Sequence, residues 1–376
     1  MKETTDRNYL LEVARRFDVG GDISSVVRHT TGHINHTYIV TAESEHGLKR
    51  FILQRVNTDV FTEPSALMDN IIRVTETVAR KVEDRGGNPA REALTPIRTT
   101  DGNHSMECDR GDFWRSYRYV EGRTHDVIPE GRLGVTLARE AAGAFGRFQR
   151  DIASLDPADF HEPIPDFHNT PVRYRAFEEA VGRDTCGRAG GVWDEIAFCR
   201  GHRNLCELIT GPLDRGEIPR RLVHNDTKIN NIIFHNGTTG AKSAACVIDL
   251  DTVMAGSALF DFGDQVRSTI SYAEEDERDV DKVTLEPMLF EALANGYLSE
   301  AGEFLTDREK ELLPAAGLVI TFETGLRFLT DHLQGDCYFQ IGRTAHNLDR
   351  ARTQFRLVAL MEEKMAALED IVRRYV

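Results

Sequence analysis

The sequence has few of the features that mark secreted, membrane-bound or nucleic-acid-binding proteins. Its six cysteines include no C-x-x-C pair and no zinc-ligand spacing, a pattern typical of reduced thiols in a cytoplasmic protein. Acidic residues outnumber basic ones by 61 to 46, and the net charge of −15 argues against nucleic acid or an anionic membrane as the general partner. The polar N-terminus predicts no signal peptide, no apolar run reaches membrane-spanning length, and internal repeats are absent. We therefore expect a cytoplasmic globular protein that has room for a local cationic pocket.

The length of 376 residues is more than one hydrophobic core usually serves, which predicts two domains or one lobed enzyme. Short apolar runs bounded by turn residues dominate up to residue 120, and helical spacing of apolar residues dominates after Glu121-Gly122-Arg123. The pattern predicts an α+β protein with a strand-rich lobe over residues 1–121 and a mainly helical lobe over residues 122–376. The last helix is predicted over residues 348–375. Both tryptophans are expected to pack in hydrophobic cores.

The stretch from Arg221 to Asp251 concentrates polar side chains between apolar runs. A polar patch follows the first run and holds His224, Asp226, Lys228 and Asn231. A later apolar run ends at Asp249 and Asp251. Buried charge without a partner is strongly disfavoured, so acidic and amide groups at the mouths of apolar strands predict a positive ligand. A divalent metal that carries a polyphosphate is the natural candidate.

These residue types supply the parts that phosphoryl transfer needs. Asp226 suits the role of a base or positioning carboxylate for an attacking hydroxyl, while Asn231 and Asp249 offer the oxygen ligands that Mg²⁺ prefers. Lys228 has a compact positive charge suited to a transferring phosphoryl group. We expect His224 to brace the loop by hydrogen bonds, and the second aspartate of the later run either orients the loop or contacts a second ion.

The pattern His224-x-Asp226-x-x-x-x-Asn231, followed by Ile248-Asp249-Leu250-Asp251, resembles the Brenner motif and the metal-binding aspartate of the aminoglycoside phosphotransferase and choline kinase family. The two parts together are far more specific than either alone. The resemblance covers the whole chain and implies a bilobal protein-kinase-like fold that uses ATP and Mg²⁺. It also implies Asp226 as the catalytic base, with Lys228 beside it, and Asn231 and Asp249 as the magnesium ligands.

The same resemblance implies where the nucleotide binds. The phosphate loop would consist of Thr31, Gly32 and His33, and the segment that meets adenine would contain Tyr119 and Val120. Where the family usually has a lysine or arginine on its third strand, this chain has Gln54, with Arg55 beside it. Adjacent strand residues point to opposite faces, and the sequence leaves open which of the two side chains reaches the phosphates.

Five segments are similar to the N-acetylhexosamine 1-kinase branch of the family. They read GHINHTYIV, FILQRVN, HNDTKINN, VIDLDTVM and ETGLRFLTDHLQGDCYF. In that branch the anomeric hydroxyl of N-acetylglucosamine or N-acetylgalactosamine takes the γ-phosphoryl group of ATP. The likeness implies a sugar site with Arg327 and Tyr338, because arginine donates in a fork to sugar oxygens and tyrosine stacks or hydrogen-bonds. An interhelix ion pair and a half-buried tyrosine are the alternative interpretation of these two residues.

Two other functions stay open at this point. A kinase for an amino alcohol or an aminoglycoside would want acidic side chains near Asp226, and residues 274–279 are the only dense acidic run. That run is also typical of a solvated helix start, where carboxylates are favourable. A nucleotide-binding pseudokinase would lack a base or a metal ligand, and none is missing. The predicted partners are therefore ATP and a small sugar, with no nucleic acid and no membrane, and the oligomeric state is open.

Overall fold

The computed structural model describes residues 7–29, 34–45, 47–235 and 244–376. The strands are β1 (Asp22–His29), β2 (His36–Ser44), β3 (Gly47–Val56), β4 (Pro96–Ile97), β5 (Ser105–Glu107), β6 (Phe113–Arg118), β7 (Arg221–Val223), β8 (Ile232–Phe234), β9 (Ala244–Val247) and β10 (Met254–Gly256). The α-helices are α1 (Arg7–Ala14), α2 (Pro64–Asp84), α3 (Pro89–Glu92), α4 (Arg132–Ile152), α5 (Thr170–Arg183), α6 (Trp193–Gly201), α7 (Thr210–Asp214), α8 (Ala258–Thr269), α9 (Pro287–Ala301), α10 (Asp307–Gln334), α11 (His346–Glu363) and α12 (Met365–Arg373).

The strands of the N-terminal region form one antiparallel sheet. Its order is β1-β2-β3-β6-β4, and the short strand β5 also pairs with β6. Alternate side chains along β6 point to opposite faces, so Trp114 packs in a cluster with α1 while Phe113 and Tyr117 pack in a cluster with α2. The two helices therefore cover the two faces of the sheet. This antiparallel sheet and the helical remainder confirm the predicted fold class.

The helical part is built on a close crossing of α4 and α9. Gly296 of α9 faces α4 so tightly that a Cβ atom there would lie 2.0 Å from the carbonyl oxygen of Arg139. A residue with a side chain would push the helices apart, so glycine is required at this position. The same core contains the buried faces of α8, α10 and α11. Helix α10 begins with a capping box formed by Thr306 and Glu309 and ends at Gly335, which has φ of 102°.

A hydrophobic cluster joins the sheet to the helical part. It combines Val56 and Tyr117 of the sheet with Phe148 of α4 and with Leu222 and Leu250 of the segments that flank the polar patch. The sheet ends before the predicted boundary at residue 121 and α4 begins after it. Because this core crosses the boundary, the division into lobes 1–121 and 122–376 stays a prediction.

Three local expectations were wrong. Trp114 is fully buried, but Trp193 is the first residue of α6 and its side chain is 62% exposed. The helix predicted over residues 348–375 is two helices, because Lys364 leaves the helical conformation between α11 and α12. The third expectation, that no apolar run reaches membrane-spanning length, fails for helix α10, which could cross a membrane by length and composition alone. In the structure, however, 83% of its apolar window is buried inside the protein. It is therefore a core helix of the fold.

Candidate active site

The loop of residues 224–231, which connects β7 to β8, is fixed by one buried side chain of α8. The Asp261 carboxylate accepts hydrogen bonds from the backbone N–H groups of His224 and Asn225, at 2.9 and 2.7 Å. The Thr227 hydroxyl donates to the carbonyl oxygen of Asp261 at 2.6 Å. Asn225 has φ of 65°, a left-handed conformation that asparagine tolerates better than most residues. Asp261 thus fixes the backbone conformation at the start of this loop.

Asp226 lies at the centre of this loop with a partner for each carboxylate oxygen. The Lys228 Nζ atom is 3.0 Å from Oδ1, and the Asn231 amide donates to Oδ2 at 2.9 Å. His224 braces the loop, since its Nδ1 accepts from the Asp226 N–H at 3.2 Å and its Nε2 donates to the Ile248 carbonyl at 3.0 Å. Burial raises the pKa of Asp226, but the charge of Lys228 and the hydrogen bonds from Lys228 and Asn231 outweigh it and leave the pKa below its usual value. The carboxylate is therefore ionised at neutral pH.

Asp249 stands beside this loop, directly after β9, with φ of 62°. The Ile248 N–H donates to the backbone carbonyl of Asn231 at 3.0 Å, which brings Asn231 and Asp249 together. No donor in the described part of the chain contacts the Asp249 carboxylate or the Asn231 side-chain oxygen. Burial and the negative charges of Asp251 and Asp226 raise the pKa of Asp249 to about 7.

These two residues fit a magnesium ion bound together with a nucleotide. Across the described ranges, no group of three His, Cys, Asp or Glu side chains forms a complete metal site. Mg²⁺ needs only one or two protein ligands when phosphates and water supply the other oxygens. Asn231 and Asp249 offer two oxygen atoms without hydrogen-bond donors, next to carboxylates whose mutual repulsion a cation would relieve. The arrangement suits a hard, oxygen-preferring cation.

The two candidates on β3 point to opposite faces of the sheet. The Gln54 side chain accepts a hydrogen bond from Arg115 Nε at 3.0 Å and donates to the Thr37 hydroxyl at 3.1 Å. Arg55 lies on the α1 side, where its Nη1 donates to Asp112 at 3.2 Å. Gln54 therefore lies on the same face of the sheet as Arg115 and Asp251, and the contact of either β3 side chain with the phosphates stays a prediction.

The other predicted nucleotide residues lie in two places. The phosphate loop, Thr31, Gly32 and His33, is outside the described residues. At the end of β6, the Tyr119 N–H donates to the Arg50 carbonyl at 3.3 Å, while Val120 is buried. Two residues later the chain passes β8 so closely that a Cβ atom on Gly122 would lie 2.4 Å from Ile233 Cγ2. The connection between the lobes is thus held tightly, and adenine contacts near Tyr119 and Val120 stay a prediction.

The predicted substrate residues share one surface. The Arg327 guanidinium lies 5.3, 5.9 and 5.5 Å from the ring centroids of Phe167, Tyr338 and Phe339, distances typical of cation–π contacts. Tyr338 is 62% exposed, so it belongs to the surface rather than to a core. We call these four residues the Arg327 surface. The structure therefore brings Arg327 and Tyr338 together, although they belong to α10 and to the loop after it.

His168 joins the Arg327 surface to the loop that carries Asp226. It follows Phe167, and its Nδ1 and Nε2 atoms lie 2.7 Å from the Glu323 carboxylate and 3.1 Å from the Asn225 carbonyl. Both partners accept hydrogen bonds, so both ring nitrogens carry protons and the ring is cationic. Burial lowers the pKa of His168, but the charge of Glu323 outweighs it and the net shift is upward. Glu323 precedes Arg327 by one helical turn of α10.

Three charged residues of the site escaped the sequence analysis: Arg115, Asp261 and Glu323. All three are almost completely buried. The segments around them are largely apolar, in the strings FWRSY, ALFDFG and LVITFETGL. Because a buried charge needs a partner, a charged residue within an apolar segment signals a polar contact that the sequence does not itself reveal. That signal could have marked them as candidates.

Residues 25–312 match the model of a family described as the phosphotransferase enzyme family. Among solved structures, the chain is similar to a microcompartment-associated aminopropanol kinase, with 15% identity, a TM-score of 0.64, and coverage of 97% of this chain and 99% of that one. It is similar to a spectinomycin phosphotransferase in complex with ADP and spectinomycin, with 15% identity, a TM-score of 0.57, and coverage of 96% and 100%. It is also similar to choline kinase from Cryptosporidium parvum, with 14% identity, a TM-score of 0.54, and coverage of 96% and 97%.

At these identities the solved structures establish the fold alone, and it is protein-kinase-like. The family match is independent of them and spans well over half of the chain, including the loop with Asp226 and the aspartates after β9. The chain therefore belongs to the phosphotransferase enzyme family.

Proposed function

We propose that the protein transfers the γ-phosphoryl group of ATP to a hydroxyl group of a small molecule, with Asp226 as the base. The observation that carries the proposal is the ionised Asp226 carboxylate, held by Lys228 and Asn231 beside Asp249. In the transfer, the acceptor oxygen forms a bond to the γ-phosphorus while the bond to the bridging oxygen breaks and ADP leaves. Asp226 takes the proton of the hydroxyl.

Lys228 and the proposed metal site supply the charges that phosphoryl transfer requires. The Lys228 ammonium group stands 3.0 Å from Asp226, where it stabilises the ionised base and lies near the transferring group. Asn231 and Asp249 would hold Mg²⁺, which when bound offsets the negative charge of the phosphates. Positioning and electrostatic stabilisation account for most of the catalysis in this reaction class.

We further propose that the acceptor is the anomeric hydroxyl of an N-acetylhexosamine, which gives a sugar 1-phosphate. The five sequence segments that resemble N-acetylhexosamine 1-kinases support this acceptor, and so does the charge of the Arg327 surface. Arg327 forms no ion pair with any residue that the structure describes, whereas the nearby Glu323 is neutralised by His168. An arginine without an ion pair, beside a glutamate that is neutralised by His168, suits a neutral, oxygen-rich ligand better than a cationic one.

The acidic run over residues 274–279 does not supply the missing negative charge. It forms a loop whose last residue, Asp279, caps a 3-10 turn at residues 280–282, in line with the helix start that its composition suggests. Glu275 pairs with Arg267 at 2.9 Å, and Asp276 pairs with Arg343 at 2.6 Å. These pairs leave less negative charge for an ammonium group of a substrate.

A kinase for an amino alcohol or an aminoglycoside is the second candidate. The observation that favours it is the set of similar structures, whose names give aminopropanol, spectinomycin and choline as acceptors. A pseudokinase is disfavoured, because a base and both oxygen ligands are present. The two kinase candidates differ in the charge of the acceptor, which makes them separable in one assay.

The acceptor assay measures ADP release by the purified protein with ATP, Mg²⁺ and one candidate acceptor at a time. We expect turnover with N-acetylglucosamine or N-acetylgalactosamine, and phosphorus NMR should show a phosphate on the anomeric oxygen. Turnover with aminopropanol, choline or spectinomycin and none with either hexosamine would replace the first acceptor by the second class.

The role of Asp226 is tested by Asp226→Asn, which keeps the shape of the side chain and removes the base. Loss of a general base typically slows turnover by about 10²–10⁴-fold. The exposed Asp109→Asn serves as the matched control, because it makes the same chemical change in a surface turn. A rate close to wild type in Asp226→Asn would contradict the assigned role.

A further inference from the structure

The cleft face of β3 lacks the positive charge that protein-kinase-like enzymes place there. In protein kinases, a β3 lysine pairs with a glutamate of the adjacent helix and must be in place for phosphoryl transfer. Here Gln54 occupies the cleft face of β3. The acidic residues of α2 are exposed, and its buried polar residues are uncharged: Asn70, which donates to the carbonyl oxygens of His161 and Val253, and two threonines. The usual pair of charges is therefore absent from β3 and α2.

A buried cation stands on the neighbouring strand instead. Arg115 of β6 is the direct cross-strand partner of Gln54, which accepts from its Nε. Its side chain is 2% exposed, and its Nη1 and Nη2 atoms lie 2.6 and 2.8 Å from the two carboxylate oxygens of Asp251. Hydrogen bonds at two points, from Nε to Gln54 and from Nη2 to Asp251, fix the orientation of the guanidinium beside the carboxylate. The pair thus has the geometry of a rigid link between the sheet and the segment after β9.

Asp251 also holds the chain that follows the predicted phosphate loop. The Asn35 amide donates to Asp251 Oδ2 at 2.6 Å, and the Asn35 side-chain oxygen accepts from the Asn57 N–H at 3.0 Å. Asp251 lies only two residues after Asp249. One carboxylate therefore connects β6, the approach to β2 and the proposed metal ligand.

Stability alone is a weak reason for a buried pair of this kind. The free energy needed to remove two charges from water is about as large as the attraction between them, and apolar replacements of buried pairs are often neutral or stabilising. A buried pair is better explained where it specifies one arrangement of the groups around it. The groups around this pair are Gln54, Asn35 and Asp249, all of which border the proposed nucleotide site.

We propose that Arg115 and Asp251 are positioning residues for the magnesium–nucleotide complex, and that they replace the β3 lysine and helix glutamate of protein kinases. Arg115 acts on Asp249 through Asp251 and on the chain after the phosphate loop through Asn35. The ligand class is a nucleoside polyphosphate with a divalent cation. The inference rests on the proposed function only in taking Asp249 as a metal ligand.

The test measures how much Mg²⁺ tightens the binding of a non-hydrolysable ATP analogue to the full chain, by calorimetry without any acceptor. The main variant is Arg115→Met with Asp251→Asn, which removes both charges and leaves neither unpaired. We expect this variant to unfold cooperatively near the wild-type temperature. The factor by which Mg²⁺ lowers the Kd of the analogue should be about ten times smaller than in wild type, a typical coupling between two ligands. Binding of the analogue without metal should change much less. Arg115→Lys keeps the charge without the two-point contact and should lose part of the coupling.

The matched control is Arg200→Met with Glu178→Gln, which removes another two-point ion pair, at 2.8 Å, between α6 and α5. We expect it to keep the wild-type Mg²⁺ effect. Wild-type coupling in a folded Arg115 variant, whether the double variant or Arg115→Lys, would overturn the proposal, and so would an equal loss in the control. Because no acceptor takes part, failure of the hexosamine assay would not affect this result.

Discussion

The two ends of the cleft are built in different ways. At the catalytic end, the backbone around Asp226 is bound to Asp261, and the Asp226 carboxylate has a partner on each oxygen. At the other end, Arg327 contacts three aromatic rings and has no ion pair among the residues that the structure describes. One end is ordered by hydrogen bonds within the core, and the other is a surface with an exposed tyrosine.

The difference teaches that, under the proposed function, the reaction and the choice of acceptor would depend on separate parts of the molecule. Hydrogen bonds to buried groups define distances sharply, as a proton transfer requires. Contacts between a guanidinium and ring faces are weaker and allow several orientations. Changes at the catalytic end should therefore affect every acceptor alike, and changes at the Arg327 surface should affect acceptors selectively.

Among variants that keep the proposed base, the largest effect is expected from Asp261→Asn at the catalytic end. An asparagine can accept only with its single side-chain oxygen, so one of the N–H groups of His224 and Asn225 loses its partner. A buried unpaired donor costs about 1–3 kcal/mol, which should appear as a lower free energy of unfolding in urea. The turnover number should fall with every acceptor, and exposed Asp109→Asn is the control. An unchanged unfolding free energy would contradict the role of Asp261.

A smaller and more selective effect is expected from Arg327→Met. The methionine keeps an apolar stem against the rings but removes the donors, and a hydrogen bond typically contributes a net of about 0.5–1.5 kcal/mol. The KM for the acceptor should rise by up to about tenfold, while the KM for ATP stays the same. Steady-state kinetics with each substrate varied in turn measures the two KM values separately.

Arg327→Lys is the matched variant for this surface. It keeps the positive charge and loses the forked donors, so its acceptor KM should lie between those of wild type and Arg327→Met. Equal rises of the KM values for acceptor and ATP would show that the two ends of the cleft are not independent.

The smallest effect is a pH dependence at the junction of the two ends. The pKa of His168 is raised in the folded protein above its ordinary value near 6.5, mainly by Glu323 against the effect of burial. The stabilisation from protonated His168 is therefore complete below that value and is lost as pH rises through the raised pKa. We expect the difference in unfolding free energy between wild type and His168→Gln to shrink with rising pH. A difference that stays constant from pH 6 to pH 9 would contradict a cationic His168.

The sequence predicted the parts whose partners are close along the chain. Asp226, Lys228 and Asn231 lie within six residues, so their spacing fixes their geometry once the loop forms. The strands and the long helices follow from local apolar periods in the same way. Lys364, where the last predicted helix divides, carries no proline or glycine signal.

The pairs that complete the site are distant in sequence and could not be predicted from it. Arg115 and Asp251 are 136 positions apart, and His168 and Glu323 are 155 apart. Only the packing of α2, α4, α8 and α10 brings such residues together. Trp193 shows the same limit, because a large apolar side chain predicts burial but its place at the start of α6 leaves it exposed.

Helix α10 has a consequence for how the chain is made. Its apolar surface is covered in part by α11, which packs so closely that a Cβ atom on Gly325 would lie 2.7 Å from Phe355 Cε1. Because α11 comes later in the chain, α10 leaves the ribosome before α11 does. In that interval the nascent chain presents a 28-residue helix with the composition of a membrane span. Chaperones that bind apolar segments and the membrane insertion machinery would then compete for it, until α11 also emerges and the core can close.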